Sequence, residues 1–566
     1  MSLTAELVLQ PGDSFTAQGT AASPCQLSGQ GFGIKVADGW EGTFSIGACN
    51  ISGLGAEDVP ALQITANGAS SVTLQQNVFD ASGTITVTAA DTANISIIGN
   101  TVLDTSVVKV EMTSFTDSVA AITLNGSGNL NPKVFQGNRI YKSFVHFQST
   151  QNWLVGGTGP NDGNIIIGQR GGIFIENGHD IHVIGNYVHV QGPLDGWNQV
   201  KAFAADGDSL IVEHNILRGG NWLLDISADV EIRYNLLADS FDRPMLLLEL
   251  SDHTELVHHN VFIRTDPNVG TVSGVWILHP PGTTRTEIYN NTIYGGGKCW
   301  QVVAAAISVE PEGFLDSLRS NAIVQFPVNL GDDTALIRGG GPERGAPSGS
   351  PAYEPVAPPP PRLGYADYNL FDNPDAFRKD NYALSVANKQ ERLDPGFALN
   401  DQAVGGAVDQ QIDARFTGPI PIAFPYTDDD VKAGVASVCQ ILHFYRQIFT
   451  PAPGSPLIDA GDPQEGPGND IGAVGAGVPN DQDLFGALCP GVDVGNPDVS
   501  AAAFQCPAIP PKNTPQSPAM PVPAPSGFIC VCQAAGRPTA ETVVSTLLVL
   551  LIYLWRRPGR SLTRAK

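Results

Sequence analysis

A short phrase recurs through the middle of this 566-residue chain and restricts its fold more than any other feature. Each copy alternates apolar with polar residues, closes on an Asn, and places an apolar residue two positions later. The clearest copies are 72–79 (VTLQQNVF), 95–102 (ISIIGNTV), 181–188 (IHVIGNYV), 210–217 (LIVEHNIL), 230–237 (VEIRYNLL), 255–262 (ELVHHNVF) and 286–293 (TEIYNNTI). Fainter copies end at Asn138, Asn164 and Asn321, and an outlier ends at Asn369. Ten such residues between Asn77 and Asn321 give a mean step of about 27, and periods of roughly 20–50 residues mark stacked solenoid or propeller units.

Within each phrase the positions five and three before the Asn are mostly apolar, as in Val72 and Leu74 or Val230 and Ile232, while the positions four and two before it are mostly polar. That alternation describes strands with one face buried and one wet. One strand and one Asn per repeat does not suit an antiparallel sandwich, whose strands find a hairpin partner every 8–12 residues. Helical stretches between the strands are lacking, which argues against βαβ units. The pattern predicts an all-β, right-handed parallel β-helix of ten or more coils, stacked about 4.8 Å apart. Asn tolerates the left-handed backbone of a tight corner, and its amide can bond the Asn of the next coil. These Asn residues are therefore expected to be structural.

The formal net charge of -25 and the acidic pI exclude nucleic acid and anionic membrane surfaces as expected partners. Such acidity fits an extracellular protein, a holder of divalent cations, or simply a solvated acidic surface. None of the eight cysteines forms a zinc-like CxxC set. Cys25 with Cys49, and Cys489 with Cys506, are plausible disulfides of an oxidising compartment. The first 15 residues carry neither a basic nor an apolar signal region and do not read as a signal peptide, which implies either that the protein stays inside or, the favoured reading, that its true start lies upstream.

The phrases VEHNIL, VHHNVF and IYNNTIYGG resemble the repeats of the pectin-lyase-like superfamily over roughly residues 30–330. That superfamily spans lyases, hydrolases, epimerases, tailspikes and adhesins, so the resemblance implies fold more than activity. Farther on, YADYNLF at 365–371, DPGF at 394–397 and GSPLIDAGDPQEGPGNDIGAVG at 454–475 resemble the closing segment of bacterial surface β-helix proteins, which implies a cap on the last coils. Asp459, Asp462 and Asp470 there read as turn residues or as cation ligands. The expected organisation is a β-helix with opening rungs at 1–326, a Gly/Pro-rich loop at 327–364, and a closing rung and cap at 365–489. A Pro-rich disordered spacer at 490–529 and a tail at 530–566 complete it.

The tail joins Cys530 and Cys532 to a short apolar run at 543–555 and then to Arg556 and Arg557. It is similar to the MYXO-CTERM sorting signal, although Val531 stands where a smaller residue is commoner. The resemblance implies export, membrane retention through the C-terminal segment, and processing near the cysteines to leave the protein at the cell surface or outer membrane. The apolar run alone is short of the roughly 20 residues a span needs, so a plain tail anchor is the alternative.

Chemistry is expected on the outer strand face. The position two before the Asn gives Glu213, Arg233 and His258 on successive repeats, then Tyr289 and Arg319; four before it stand His182, Glu231 and Glu287. A carboxylate, a guanidinium and an imidazole at coil spacing are suited to holding a uronic acid and moving a proton; they equally make an exterior salt-bridge ladder. Asp206, Asp208 and Asp225, near Lys201 and Arg218, form a second group, and the superfamily resemblance implies calcium at such a cluster. Trp197 and Trp222 are placed to stack on sugars, with Tyr289 and Arg319 as further substrate contacts. Strand alternation predicts that His258 and His259 point apart. Of the superfamily's hydrolase pattern only Gly178-His179-Asp180 is approached, and no other complete catalytic motif is present. Two functions remain: a monomeric binder or lyase-like processor of extracellular polysaccharide, or a non-catalytic surface adhesin or structural protein.

Overall fold

The computed structural model describes residues 1–332, apart from 57–58, 91, 104–119, 121, 127–130, 160, 170, 192–199, 241–244, 249–252, 265–273, 278–284, 296–304, 310–314 and 325–327, and then 363–371, 402–403 and 414–475 apart from 422. Trp197, Cys489, Cys506, Cys530, Cys532, Arg556 and Arg557, the segment at 394–397 and the spacer and tail lie outside the described residues.

The chain winds into a parallel β-helix whose strands, among the described residues, assemble into one 15-stranded and one 23-stranded sheet. Its register follows the apolar pattern of the sequence. Ile46, Leu74, Ile97, Phe135, Val155, Val183, Val212, Ile232, Val257, Ile288 and Leu318 stand one above the next in parallel pairing. All are buried, and together with the column that runs from Phe79 through Leu217 to Ile323 they fill the lumen. Each such Val, Leu or Ile contributes about 1.5–3 kcal/mol of apolar burial.

The corner departs from expectation in one respect. The left-handed residue is the one before the Asn in every copy but that of Asn164: φ is 54° at Gln76, 53° at His214, 56° at Tyr234, 55° at His259, 48° at Asn290 and 54° at Ser320, with Gly99, Gly137 and Gly185 taking the same place. The Asn itself turns inward and is fully buried. Asn215 shows why. Its Nδ2 donates to Val183 O of the preceding coil, to Glu213 O, and to Asn235 Oδ1 of the following coil at 3.0 Å. Its Oδ1 accepts from the backbone N and the Nδ2 of Asn186, both at 2.9 Å. The same exchange links Asn77, Asn100, Asn138, Asn164, Asn186, Asn215, Asn235, Asn260, Asn291, Asn321 and Asn369. An inward amide satisfies peptide groups that the corner removes from the sheet ladder.

At the N-terminal end Ser2–Leu3, Leu7–Leu9 and Phe15–Gln18 each pair with one neighbouring strand among the described residues. Cys25 and Cys49 are register partners on adjacent coils and are joined by a disulfide.

The cap does not sit on the last coils alone. Helix α1 (Asp428–Lys432) and helix α2 (Val438–Phe449) lie along the flank of the 15-stranded sheet. The reason is local: that sheet turns Ile167, Ile216, Leu236, Val261, Ile263 and Val324 outward, and α2 covers them with Ile441, Leu442, Phe444, Tyr445, Ile448 and Phe449. A polar clasp fixes the near end, where Asp428 accepts from Tyr187 Oη at 2.8 Å, from His189 Nδ1 at 2.7 Å and from Gln191. Residues 455–475 close the corner column, with Gly472 N donating to Ser320 O and Ala473 N to Thr292 Oγ1.

Candidate functional site

Strand register brings the expected residues together. Glu213 pairs with Arg233, Arg233 with His258, His258 with Tyr289, and Tyr289 with Arg319, each one coil on from the last. His182, Glu231 and Glu287 share the outward face two residues earlier in their strands. The side chains form one hydrogen-bonded chain across four coils. His182 Nε2 donates to Glu213 Oε1 at 2.7 Å, Arg233 Nε donates to Glu213 Oε2 at 2.7 Å, and Arg233 Nη1 donates to Glu231 Oε1 at 2.6 Å. His258 Nε2 then donates to Glu231 Oε1 at 3.0 Å.

The chain ends in a contact that strand alternation does not foresee: His258 Nδ1 lies 2.7 Å from His259 Nδ1. The left-handed turn at His259 swings its imidazole back toward its neighbour, so the two rings meet at 85° instead of pointing apart. Burial holds both imidazoles below the usual histidine range, and for His259 the neighbouring imidazole of His258 and the Arg446 charge add to it. Neutral His258 spends its proton on Glu231, so its Nδ1 accepts from the Nδ1–H of His259.

Charges along the strip are settled by these contacts. Burial alone would raise the Glu213 carboxyl, but the hydrogen bonds from His182 and Arg233 and the Arg233 charge overcome it and hold the pKa at about 2. The hydrogen bond from His258, against burial, lowers Glu231, with the Arg233 charge adding to it. Burial would lower Arg233, but its bond and proximity to Glu213 raise it instead. Farther along, Arg319 lies over Tyr289 with its guanidinium carbon 4.3 Å from the ring centre, and His258 stacks on Tyr289 at 4.6 Å. Arg319 also donates to Glu287, to Ser317 and to Glu465 of the cap. Tyr289 thus contacts His258 and Arg319, and Nε and Nη1 of Arg319 are engaged within the protein.

Exposure is uneven along the strip. The side chain of His182 is 36% exposed, Glu231 28% and Arg233 25%, against 2% for Glu213 and 7% for His258. The accessible part is therefore the edge formed by His182, Arg233 and Glu231. No motif marks Glu465, which reaches Arg319 across 146 residues of sequence, as a member of the site.

The second expected group does not converge. Asp206 accepts from the backbone N of Asn177, Asp208 pairs with His179 at 2.7 Å, and Asp225 forms a buried ion pair with Lys201. Asp225 lies beside Ala204 and Asp206 beside Ser227 in the same register, while Asp208 falls within the irregularity between Gly207 and Leu210. Among the described residues no group of three His, Cys, Asp or Glu side chains is arranged to hold a metal ion. Trp222 is half-buried beside Lys201 in register. Asp462 caps a short 3-10 turn and Asp470 accepts from the backbone N of Asp459, which are turn duties.

Fold and strip together define a parallel β-helix protein with a buried-to-exposed polar ladder on one outer face. No family profile matches the chain, and no curated protein matches it. Among solved structures it is similar to the periplasmic alginate epimerase AlgG, with a TM-score of 0.32 and 11% identity, covering 59% of this chain and 75% of that one. A double mutant of the same enzyme gives a TM-score of 0.32 and 10% identity over the same shares.

Proposed function

We propose that this is an exported, surface-held β-helix protein that binds an extracellular polysaccharide along the edge formed by His182, Arg233 and Glu231. The observation that carries the reading is that ladder: donors and acceptors repeat at coil spacing of about 4.8 Å along a rigid face, the kind of array that meets a linear polymer of repeating hydroxyls. Rigid positioning favours recognition, because little side-chain freedom is lost on binding. The Cys25–Cys49 disulfide supports an oxidising, extracytoplasmic setting. Surface attachment rests on the sequence of the tail, with Cys530, Cys532, Arg556 and Arg557 in the sorting role.

Binding is favoured over β-elimination. An ionised Glu213 held at about 2 is a poor proton acceptor, and a guanidinium shared by two carboxylates has no free charge for a uronate. Affinity electrophoresis of the full chain through gels carrying individual polysaccharides, with and without calcium, tests the reading. Retardation by at least one polymer, weakened in Arg233→Ala and without growth of unsaturated-end absorbance, is expected. Absence of retardation throughout would favour a spacer or adhesin of another specificity, and calcium-dependent unsaturated ends would restore the lyase.

A further inference from the structure

Every basic side chain described along the strip is bound to a carboxylate. Arg233 lies between Glu213 and Glu231 at 2.7 and 2.6 Å. Arg319 lies between Glu287 at 3.0 Å and Glu465 at 2.8 Å, and Arg285 is bound to Glu287 at 2.6 Å. At the accessible end two carboxylates therefore face one guanidinium, with neutral His258 behind them. The local charge is negative, and so is the chain as a whole at -25.

Glu231 is the exposed carboxylate of this arrangement, at 28% against 2% for Glu213. It occupies the outer side of Arg233 and the Nε2–H of His258 at once, two donors that a ligand carboxylate would otherwise take. Resting on the polysaccharide-binding reading above, we infer that Glu231 determines ligand class: it closes the strip to uronic-acid polymers and turns it toward amino-sugar polymers, whose ammonium groups meet its outward carboxylate. Like charge placed against a wrong ligand is an effective means of discrimination, and rejection of uronates is the stronger consequence.

The experiment uses the full chain and three soluble probes: a chitosan oligosaccharide, a neutral β-glucan and polygalacturonate. Titration at fixed ionic strength is expected to rank them in that order, with polygalacturonate showing no saturable binding. Glu231→Gln removes the charge while keeping the shape. It should weaken chitosan binding on the order of tenfold, the size of one charge-assisted contact, and create measurable polygalacturonate binding. Glu41→Gln makes the same change in net charge at an exposed site away from the strip and should alter neither. If Glu231→Gln loses the native far-ultraviolet spectrum, Glu287→Gln, which uncaps the exposed Arg285, takes its place with the same expected gain for polygalacturonate.

Polygalacturonate binding the native chain as tightly as chitosan overturns the inference while leaving the binding reading intact. Identical behaviour of Glu231→Gln and Glu41→Gln overturns it as well, by reducing any preference to net charge. Silence from all three probes overturns the binding reading itself, and the selectivity with it.

Discussion

Removing the guanidinium of Arg233 should cost far more than an ordinary surface ion pair, and the cost should depend on pH in a defined direction. Glu213 is buried to 2% and relies on Arg233 Nε and His182 Nε2 for its two oxygens. In Arg233→Ala the carboxylate stays in place without its strongest partner, and breaking one side of a buried pair costs about 3–5 kcal/mol. The pKa gives an upper figure for the contacts of the carboxylate as a set. Against burial, the His182 and Arg233 hydrogen bonds and the Arg233 charge together move Glu213 from its ordinary 4.5 to about 2 in the folded chain, and at 1.36 kcal/mol per unit that is roughly 3 kcal/mol shared between the two partners. Because the folded value is the lower one, this stability is present above pH 4.5 and is lost as pH falls toward 2.

In the variant the carboxyl no longer has that protection and protonates at higher pH, so the difference between variant and parent should shrink as the solution is acidified. Urea unfolding followed by intrinsic fluorescence at neutral pH and again near pH 3 measures it directly. The expected result is a penalty of about 3–5 kcal/mol at neutrality that falls by more than half in acid. A penalty below about 1 kcal/mol at neutrality, or one that does not change with pH, would place the pair with ordinary exposed ion pairs and refute the reasoning.

Asp428→Asn should loosen the cap, because His189 and Tyr187 hold that carboxyl at about 2 against the upward pull of burial; faster proteolysis within 414–475 is the readout, and an unchanged digestion rate would count against the clasp. In the parent chain the same contribution is present above pH 3.8 and disappears as pH falls toward 2. Asn215→Ala leaves Val183 O and Asn186 N without their amide partner, at about 1–3 kcal/mol for each buried group, so a loss of at least about 2 kcal/mol in denaturant unfolding is expected. Reduction of Cys25–Cys49, which closes a sequence separation of 24, should cost about 3 kcal/mol and accelerate amide exchange in the first coils. Exchange that accelerates equally over 210–320 would contradict that locality.

Parallel stacking, the inward apolar columns and the membership of the outer strip were all legible in the sequence. Strand periodicity of two and a repeat closing on Asn leave one register in which Val212, Ile232, Val257 and Ile288 stay buried together, and that register necessarily puts Glu213, Arg233 and His258 in line. A slip of one residue would turn the whole lumen outward. The chain could not announce which way each corner bends. The left-handed position belongs to the residue before the Asn, and only that geometry folds His259 back onto His258. Nor could it announce that Asp428, Glu465 and the apolar side of α2 return to the flank of coils far away in sequence. Periodicity is a short-range property written in every repeat, whereas ion pairing and burial depend on which distant groups arrive within hydrogen-bond reach, and packing of the whole chain settles that.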